Sequence, residues 1–257
     1  GQHHVRFGAL GHVVLPVAVA SATDALPPAL LAGLAALPYV RRVEPAPRFT
    51  GQNNVATVTL QAEESRNRPI WAHGLTGEGQ VVAVGDTGLD YDSCFFDDGN
   101  QTIATYPAAN WQHRKVVSYL PCVLTSGEKE LGDIPNAHGT HVAGSLAGNA
   151  QHVPGTSTTE ATVHSRTQYN GMAKDAKLFV NDFTCGKRAL DNSMVLPGDM
   201  YEGYAPGYAM GARVSSFSWG DAGAPREYNA ILRRTDAFVY ENPDMTLVFA
   251  AGNGGLR

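Results

Sequence analysis

Short, nearly continuous apolar runs alternate with polar, helix-like segments from residue 81 onward. Such runs are typical of strands buried on both faces of a parallel sheet, and their alternation with helices indicates an α/β domain. The pattern predicts five strands, at Val81–Gly85, Lys115–Tyr119, Lys177–Asp182, Ala212–Phe217 and Thr246–Ala250. It predicts one helix from His138 through Val142 to Gly148, one that precedes Ala212, and one over Tyr228–Glu241.

Residues 1–60 differ from the rest in being rich in Ala, Pro and Val. A strand is predicted at Val13–Val19, and a helix at Pro27–Leu37, where apolar residues share one face and Pro38 stops the helix. Further strands are predicted at Tyr39–Glu44 and Val55–Leu60. The sequence therefore predicts a small α+β domain at 1–60, a polar linker at 61–80 and the α/β domain at 81–257.

Composition excludes some classes of function. The net charge of −5 argues against a nucleic-acid-binding protein, which needs a basic face. No apolar segment approaches the roughly 20 residues of a membrane-spanning helix, and no signal peptide is visible. We therefore expect neither a nucleic-acid partner nor a membrane span.

Three cysteines and one glycosylation sequon bear on the compartment. Cys94 and Cys122 flank a predicted loop, and they either form a disulfide or remain thiols, with Cys185 left over. Asn100-Gln-Thr is an N-glycosylation sequon. Together these features favour a secreted, disulfide-bonded glycoprotein.

Two titratable residues stand at positions suited to catalysis. Asp86 follows the strand Val81–Gly85, and parallel sheets bind ligands at the carboxyl ends of their strands. His138 opens a predicted helix and is followed by small residues that let the helix pack close to the sheet. His141 shares a helix face with His138, so the pair could bind a metal, but no third ligand stands at a familiar spacing.

Three sequence blocks resemble the subtilisin-like serine proteases, the subtilases. They are Val-Val-Ala-Val-Gly-Asp-Thr-Gly-Leu-Asp at 81–90, Asn-Ala-His-Gly-Thr-His-Val-Ala-Gly at 136–144 and Val-Phe-Ala-Ala-Gly-Asn at 248–253. The resemblance implies that Asp86 orients the catalytic histidine, that His138 is the general base and that the amide of Asn253 stabilises the oxyanion. One departure is Gly85, where the family has a bulky aliphatic residue, which predicts thinner packing behind Asp86.

The resemblance also implies a substrate site and a prosegment. Ser218-Trp219-Gly220 resembles the family segment that pairs with substrate, and Ala251 and Gly252 are expected beside it. Ser218 lacks the Gly-x-Ser-x-Gly turn of a nucleophile. Residues 1–60, through Leu-Pro-Tyr-Val-Arg-Arg-Val-Glu-Pro at 37–45, resemble an inhibitory prosegment, which implies a zymogen.

The sequence lacks the family's Gly-Thr-Ser nucleophile block. The resemblance therefore implies a serine endopeptidase whose subtilisin-like α/β domain is incomplete here, with the serine beyond residue 257 or on a second chain. The alternative is a non-catalytic, subtilase-derived scaffold protein. The expected partners are a protein or peptide substrate and the carboxy-terminal segment of the same protein. No cofactor is expected, although four acidic residues in one loop could hold a structural calcium ion rather than face solvent: Asp90, Asp92, Asp97 and Asp98.

Overall fold

The computed structural model describes residues 6–7, 13–14, 32–33, 36–37, 56–61, 67–124, 126–151, 167–184, 194, 196–220 and 228–252. The chain forms two compact units, Gly1–Gly51 and Gln52–Arg257. In the first unit, β1 (Arg6–Phe7) pairs antiparallel with β2 (Val13–Val14). Residues 32–33 are helical, within the predicted helix Pro27–Leu37. The predicted strand Tyr39–Glu44 lies outside the described residues.

The first described element of the second unit is helix α1 (Ala56–Gln61), so the prediction of a strand at Val55–Leu60 was wrong. Its β-branched residues favour a strand, but this preference is easily overridden by packing. The side-chain oxygen of Gln61 accepts a hydrogen bond from the backbone of Trp71 in α2 (Pro69–Ala72). The Trp71 indole in turn donates to the Met172 carbonyl at 2.8 Å. The segment predicted as a linker is therefore anchored to this unit.

The strands of the second unit are β3 (Val81–Asp86), β4 (Val116–Leu120), β5 (Cys122–Val123), β6 (Lys129–Glu130), β7 (Lys177–Asp182), β8 (Val214–Phe217) and β9 (Thr246–Phe249). Five of them form a parallel sheet at its centre, in the order β4-β7-β3-β8-β9. The predicted α/β fold is confirmed, with strand ends shifted by at most two residues. β5 and β6 form a separate antiparallel hairpin after β4.

Alternate residues of β3 enter different apolar clusters. Val82 and Val84 pack with Ala143 and Ala147 of helix α3 (His138–Ala147). Ala83 packs with Phe179, and a Cβ at Gly207 of helix α4 (Met200–Ala209) would meet the Ala83 Cβ at 3.0 Å.

Helix α4 (Met200–Ala209) packs with helix α5 (Ala230–Glu241) around Tyr204 and Phe238. The small residues of α3 and α4 thus let helices approach the sheet closely. Within the described residues, no helix is long and apolar enough to cross a membrane.

The structure does not support the disulfide considered between Cys94 and Cys122. Cys94 is buried beside Ala150 and Phe95 and forms no disulfide. Cys122 lies in β5, beyond β4 along the chain. Cys185 lies outside the described residues.

Candidate active site

Asp86 and His138 lie together at the carboxyl edge of the sheet. Asp86 ends β3 and His138 begins α3, and Asp86 Oδ1 is 2.7 Å from His138 Nδ1. The Asp86 side chain is 1% exposed, whereas that of His138 is 43% exposed. With Nδ1 held by the carboxylate, Nε2 is the ring nitrogen left to exchange protons. A buried carboxylate behind a partly exposed imidazole is the arrangement that a general base requires.

The Asp86 carboxylate is held through one of its oxygens. Oδ1 accepts from the Thr87 backbone N–H at 2.8 Å as well as facing His138. Oδ2 is buried and has no hydrogen-bond partner among the described residues. Leaving a buried carboxylate oxygen unpaired is costly, and active sites tolerate such costs more often than ordinary cores.

The backbone N–H groups in the first turn of α3 find their hydrogen-bond acceptors outside the helix. Ala137, at the N-cap position, has a left-handed conformation (φ 53°) and no side chain that could cap. The backbone N–H groups of this turn instead donate to side chains outside the helix: that of His138 to Asn136, that of Gly139 to Thr87 and that of Thr140 to Asp133, at 3.1, 2.8 and 2.7 Å. The orientation of His138 therefore depends on two loops that precede the helix.

The turn after Asp86 lies against the start of α3 at a distance that only glycine permits. A Cβ at Gly139 would lie 2.3 Å from the carbonyl oxygen of Gly88. Gly88 itself has φ +116°, and a Cβ there would lie 1.9 Å from the Gly132 oxygen. The small residues around His138 thus allow a close contact with the turn after Asp86, in addition to close packing of the helix against the sheet.

Gly85 does not leave thin packing behind Asp86, contrary to expectation. A Cβ at Gly85 would lie 2.5 Å from the Phe217 ring and 2.7 Å from the Phe183 ring. Two buried aromatic rings therefore occupy the volume that an aliphatic side chain would fill. The Trp219 indole packs edge-on against both rings and donates to the Gly85 carbonyl at 2.8 Å.

The remaining predicted site residues follow neighbouring strands. The pairing of Val84 with Ser216 puts Ser218 and the exposed Gly220 at the same sheet edge as Asp86. Ala251 and Gly252 are exposed and follow β9, which pairs with β8. Trp219 is half-buried, with its indole turned to β3. Asn253 lies outside the described residues.

A second carboxyl group, not anticipated from the sequence, lies near the pair. Asp182 ends β7 directly opposite Asp86 in the register and is 5% exposed. Its oxygens contact the Tyr119 hydroxyl and the Thr184 backbone N–H, both at 2.9 Å. Burial raises the pKa of Asp182 to about 8, so this carboxyl is largely protonated at neutral pH. It also borders a pocket of about 470 Å³ whose other wall is residues 129–135.

The loop considered for calcium is held together by its own hydrogen bonds. Asp98 accepts from the backbones of Asn100 and Arg114 at 3.1 and 2.8 Å, and the Arg114 side chain donates to the Asp97 carbonyl. Among the residues that the structure describes, no group of three His, Cys, Asp or Glu side chains could hold a metal ion.

The family model described as the subtilase family (Peptidase_S8) matches residues 77–256. Among curated proteins, the chain is similar to two from Dictyostelium discoideum, the serine protease/ABC transporter B family proteins tagB and tagA. It is 36% identical to tagB over 185 residues and 28% identical to tagA over 209 residues. These matches cover 71% and 80% of this chain but only 9% and 10% of the relatives. The chain therefore spans about a tenth of the length of these relatives.

Solved structures of low sequence identity also match. The CspB protease of Clostridium perfringens is 20% identical with a TM-score of 0.48, covering 72% of this chain and 39% of that one. Fervidolysin from Fervidobacterium pennivorans, a keratinolytic enzyme related to subtilisin, is 23% identical with a TM-score of 0.41, covering 73% of this chain and 23% of that one.

Proposed function

Since this chain belongs to the subtilase family, we propose that it is the amino-terminal part of a serine endopeptidase catalytic domain. The nucleophilic serine lies beyond residue 257 or on a second chain. The observation that supports this most is the 2.7 Å contact between Asp86 and His138 at the carboxyl edge of the parallel sheet. A purely structural relative has no chemical need for a buried carboxylate behind a partly exposed imidazole.

The proposed reaction proceeds through an acyl-enzyme. His138 Nε2 removes the proton from the serine hydroxyl as its oxygen attacks the scissile carbonyl, and Asp86 stabilises the imidazolium that forms. His138 then transfers this proton to the leaving amine. Water, deprotonated by the same nitrogen, then attacks the ester carbonyl, and His138 returns the proton to the departing serine oxygen. We propose that the side-chain amide of Asn253 donates a hydrogen bond to the developing oxyanion.

Substrate binding is proposed at the ends of β8 and β9. An extended peptide would pair with the backbone of 218–220 on one side and lie near Ala251 and Gly252 on the other. This mode uses main-chain hydrogen bonds, so it suits many protein substrates.

The carboxy-terminal segment is proposed to cover the outer part of the sheet. β9 is an edge strand in the described sheet, and apolar side chains of β8 and β9 are 40–49% exposed: Val214, Val248 and Phe249. Edge strands with exposed apolar residues invite pairing or coverage. We expect residues beyond 257 to provide it, together with the serine.

Peptidase activity of a longer protein that includes these residues tests the proposal. Asp86→Asn should lower kcat on the order of 10⁴-fold, through loss of tautomer control, and His138→Ala on the order of 10⁶-fold, through loss of the base. His73→Ala is the matched control because His73 is exposed and only ends α2. Equal activity in all four proteins, or none in the parent, would refute the assignment.

We also propose that the protein is secreted. Asn100 of the sequon is exposed, so the oligosaccharyltransferase could reach it. Protein from a eukaryotic secretory host should lose mass on treatment with a peptide N-glycosidase. Asn100→Gln should abolish that change, and an unchanged mass of the parent would contradict glycosylation at this site.

A further inference from the structure

The hydroxyl of Thr87 connects the turn after Asp86 to the helix that begins with His138. Thr87 Oγ1 lies 2.8 Å from the Gly139 backbone nitrogen and 2.7 Å from Asp133 Oδ1. The backbone N–H can only donate, so Oγ1 accepts that bond. Its single proton therefore points to the Asp133 carboxylate.

Asp133 makes contacts on both sides of this junction. Besides the Thr87 hydroxyl, its carboxylate accepts from the backbone and the hydroxyl of Thr140, at 2.7 and 2.5 Å, and from the Ile134 backbone at 2.8 Å. Thr140 lies in the first turn of α3, and its hydroxyl accepts from the Asp90 backbone at 2.8 Å. Asp133 thus joins the β3 turn and α3 through two separate threonines.

We propose that Asp133 is a positioning residue for the Asp86–His138 pair. It fixes the direction of the Thr87 hydroxyl proton, so Thr87 can hold Gly139, and with it the adjacent His138, against the end of β3. The inference rests on the proposed function for its catalytic consequence, but its geometric content stands independently of that function.

The charge of Asp133 suits this position. The first turn of α3 has no capping side chain of its own, and a carboxylate at a helix N-terminus is stabilised by the exposed N–H groups. Asparagine at this position could still accept from Thr87, but its amide NH₂ would face the Thr140 N–H, donor against donor. Asp133→Asn therefore removes the hydrogen bond from the Thr140 backbone while preserving the shape of the side chain.

The test uses the longer protein with its serine and a peptide p-nitroanilide chosen from casein cleavage sites. Thr87→Val and Asp133→Asn should lower kcat by 10-fold or more, towards the order of 100-fold that an ångström of misplacement can cost, with little change in KM. Thr87→Ser, which keeps the hydroxyl, should restore kcat to within about threefold of the parent. The double variant should be little worse than the poorer single variant, because both act through one network.

A matched control separates positioning from general stability. Ser118 is buried and donates to the Ala108 carbonyl at 2.7 Å, away from the pair. Ser118→Ala should lower the melting temperature without lowering kcat. The proposal would be overturned if Thr87→Val and Asp133→Asn kept the parental kcat and only lowered the melting temperature by an amount similar to that of Ser118→Ala.

A structural readout keeps the inference separate from the proposed function. A crystal structure of the Asp133→Asn protein should show the Thr140 backbone nitrogen moved out of hydrogen-bonding distance of the residue 133 side chain, with His138 displaced from Asp86. Unchanged geometry there would overturn the inference even if the parent proved inactive. An inactive parent with the displaced geometry would refute the proposed function alone.

Discussion

Gly85→Ala should destabilise the domain although it adds only one methyl group. The new Cβ would lie 2.5 Å from the Phe217 ring and 2.7 Å from the Phe183 ring, nearly an ångström inside ordinary contact distance. These rings are 1% and 3% exposed, so neither can swing into solvent. Overpacking of this kind typically costs about 1–3 kcal/mol. At about 2–4 °C per kcal/mol for a domain of this size, the melting temperature should fall by about 2–12 °C.

Differential scanning calorimetry of the longer protein is the assay, with Gly198→Ala as the matched control because a Cβ at Gly198 meets nothing within 4 Å. Phe217→Leu in the Gly85→Ala background should recover part of the loss. The two changes should therefore show a coupling energy above about 0.5 kcal/mol in a double-mutant cycle. A Gly85→Ala melting temperature within about 1 °C of the parent, or strictly additive effects, would refute the view that the aromatic rings require this glycine.

Three further predictions concern pH and the amino-terminal region. Because burial raises the pKa of Asp182 from 3.8 to about 8, the free energy of unfolding should fall as pH rises through this range, by at most about 1.4 kcal/mol per pH unit, and Asp182→Asn should remove that slope in urea titrations. Burial lowers the pKa of Lys115 from 10.5 to about 7, so the free energy of unfolding should rise as the pH increases between these two values, and Lys115→Met should flatten this slope. A slope that persists in either variant would contradict its assignment to that residue. Excision of residues 1–60 should raise peptidase activity if they inhibit as a prosegment, whereas unchanged activity after clean removal would indicate an accessory module.

The sequence was most informative where local pattern and burial agree. The apolar run Lys177–Asp182 became β7 with the predicted bounds, and the helix expected from His138 is α3. Both segments contribute residues to the same buried apolar cluster. The proximity of Asp86 and His138 followed from strand-end placement and motif order together.

The failures share a dependence on distant contacts. Ala56–Gln61 is helical despite its β-branched alternation, and its last residue bonds to the backbone of Trp71, ten positions away along the chain. The role of Gly85 could not be predicted from the sequence because Trp219, which donates to its carbonyl, lies 134 positions away along the chain. Asp133 offered only one weak signal, a carboxylate shortly before a helix whose N-cap residue, Ala137, cannot cap.

The central claim is that Asp86 and His138 activate a serine that lies outside residues 1–257, either beyond residue 257 or on a second chain. A fluorophosphonate probe, which labels activated serines, tests it when the longer protein is labelled and the site is mapped by peptide mass spectrometry. The account predicts one labelled serine, outside residues 1–257, and loss of labelling in His138→Ala. Labelling at Ser218, or labelling that survives the loss of His138, would contradict it.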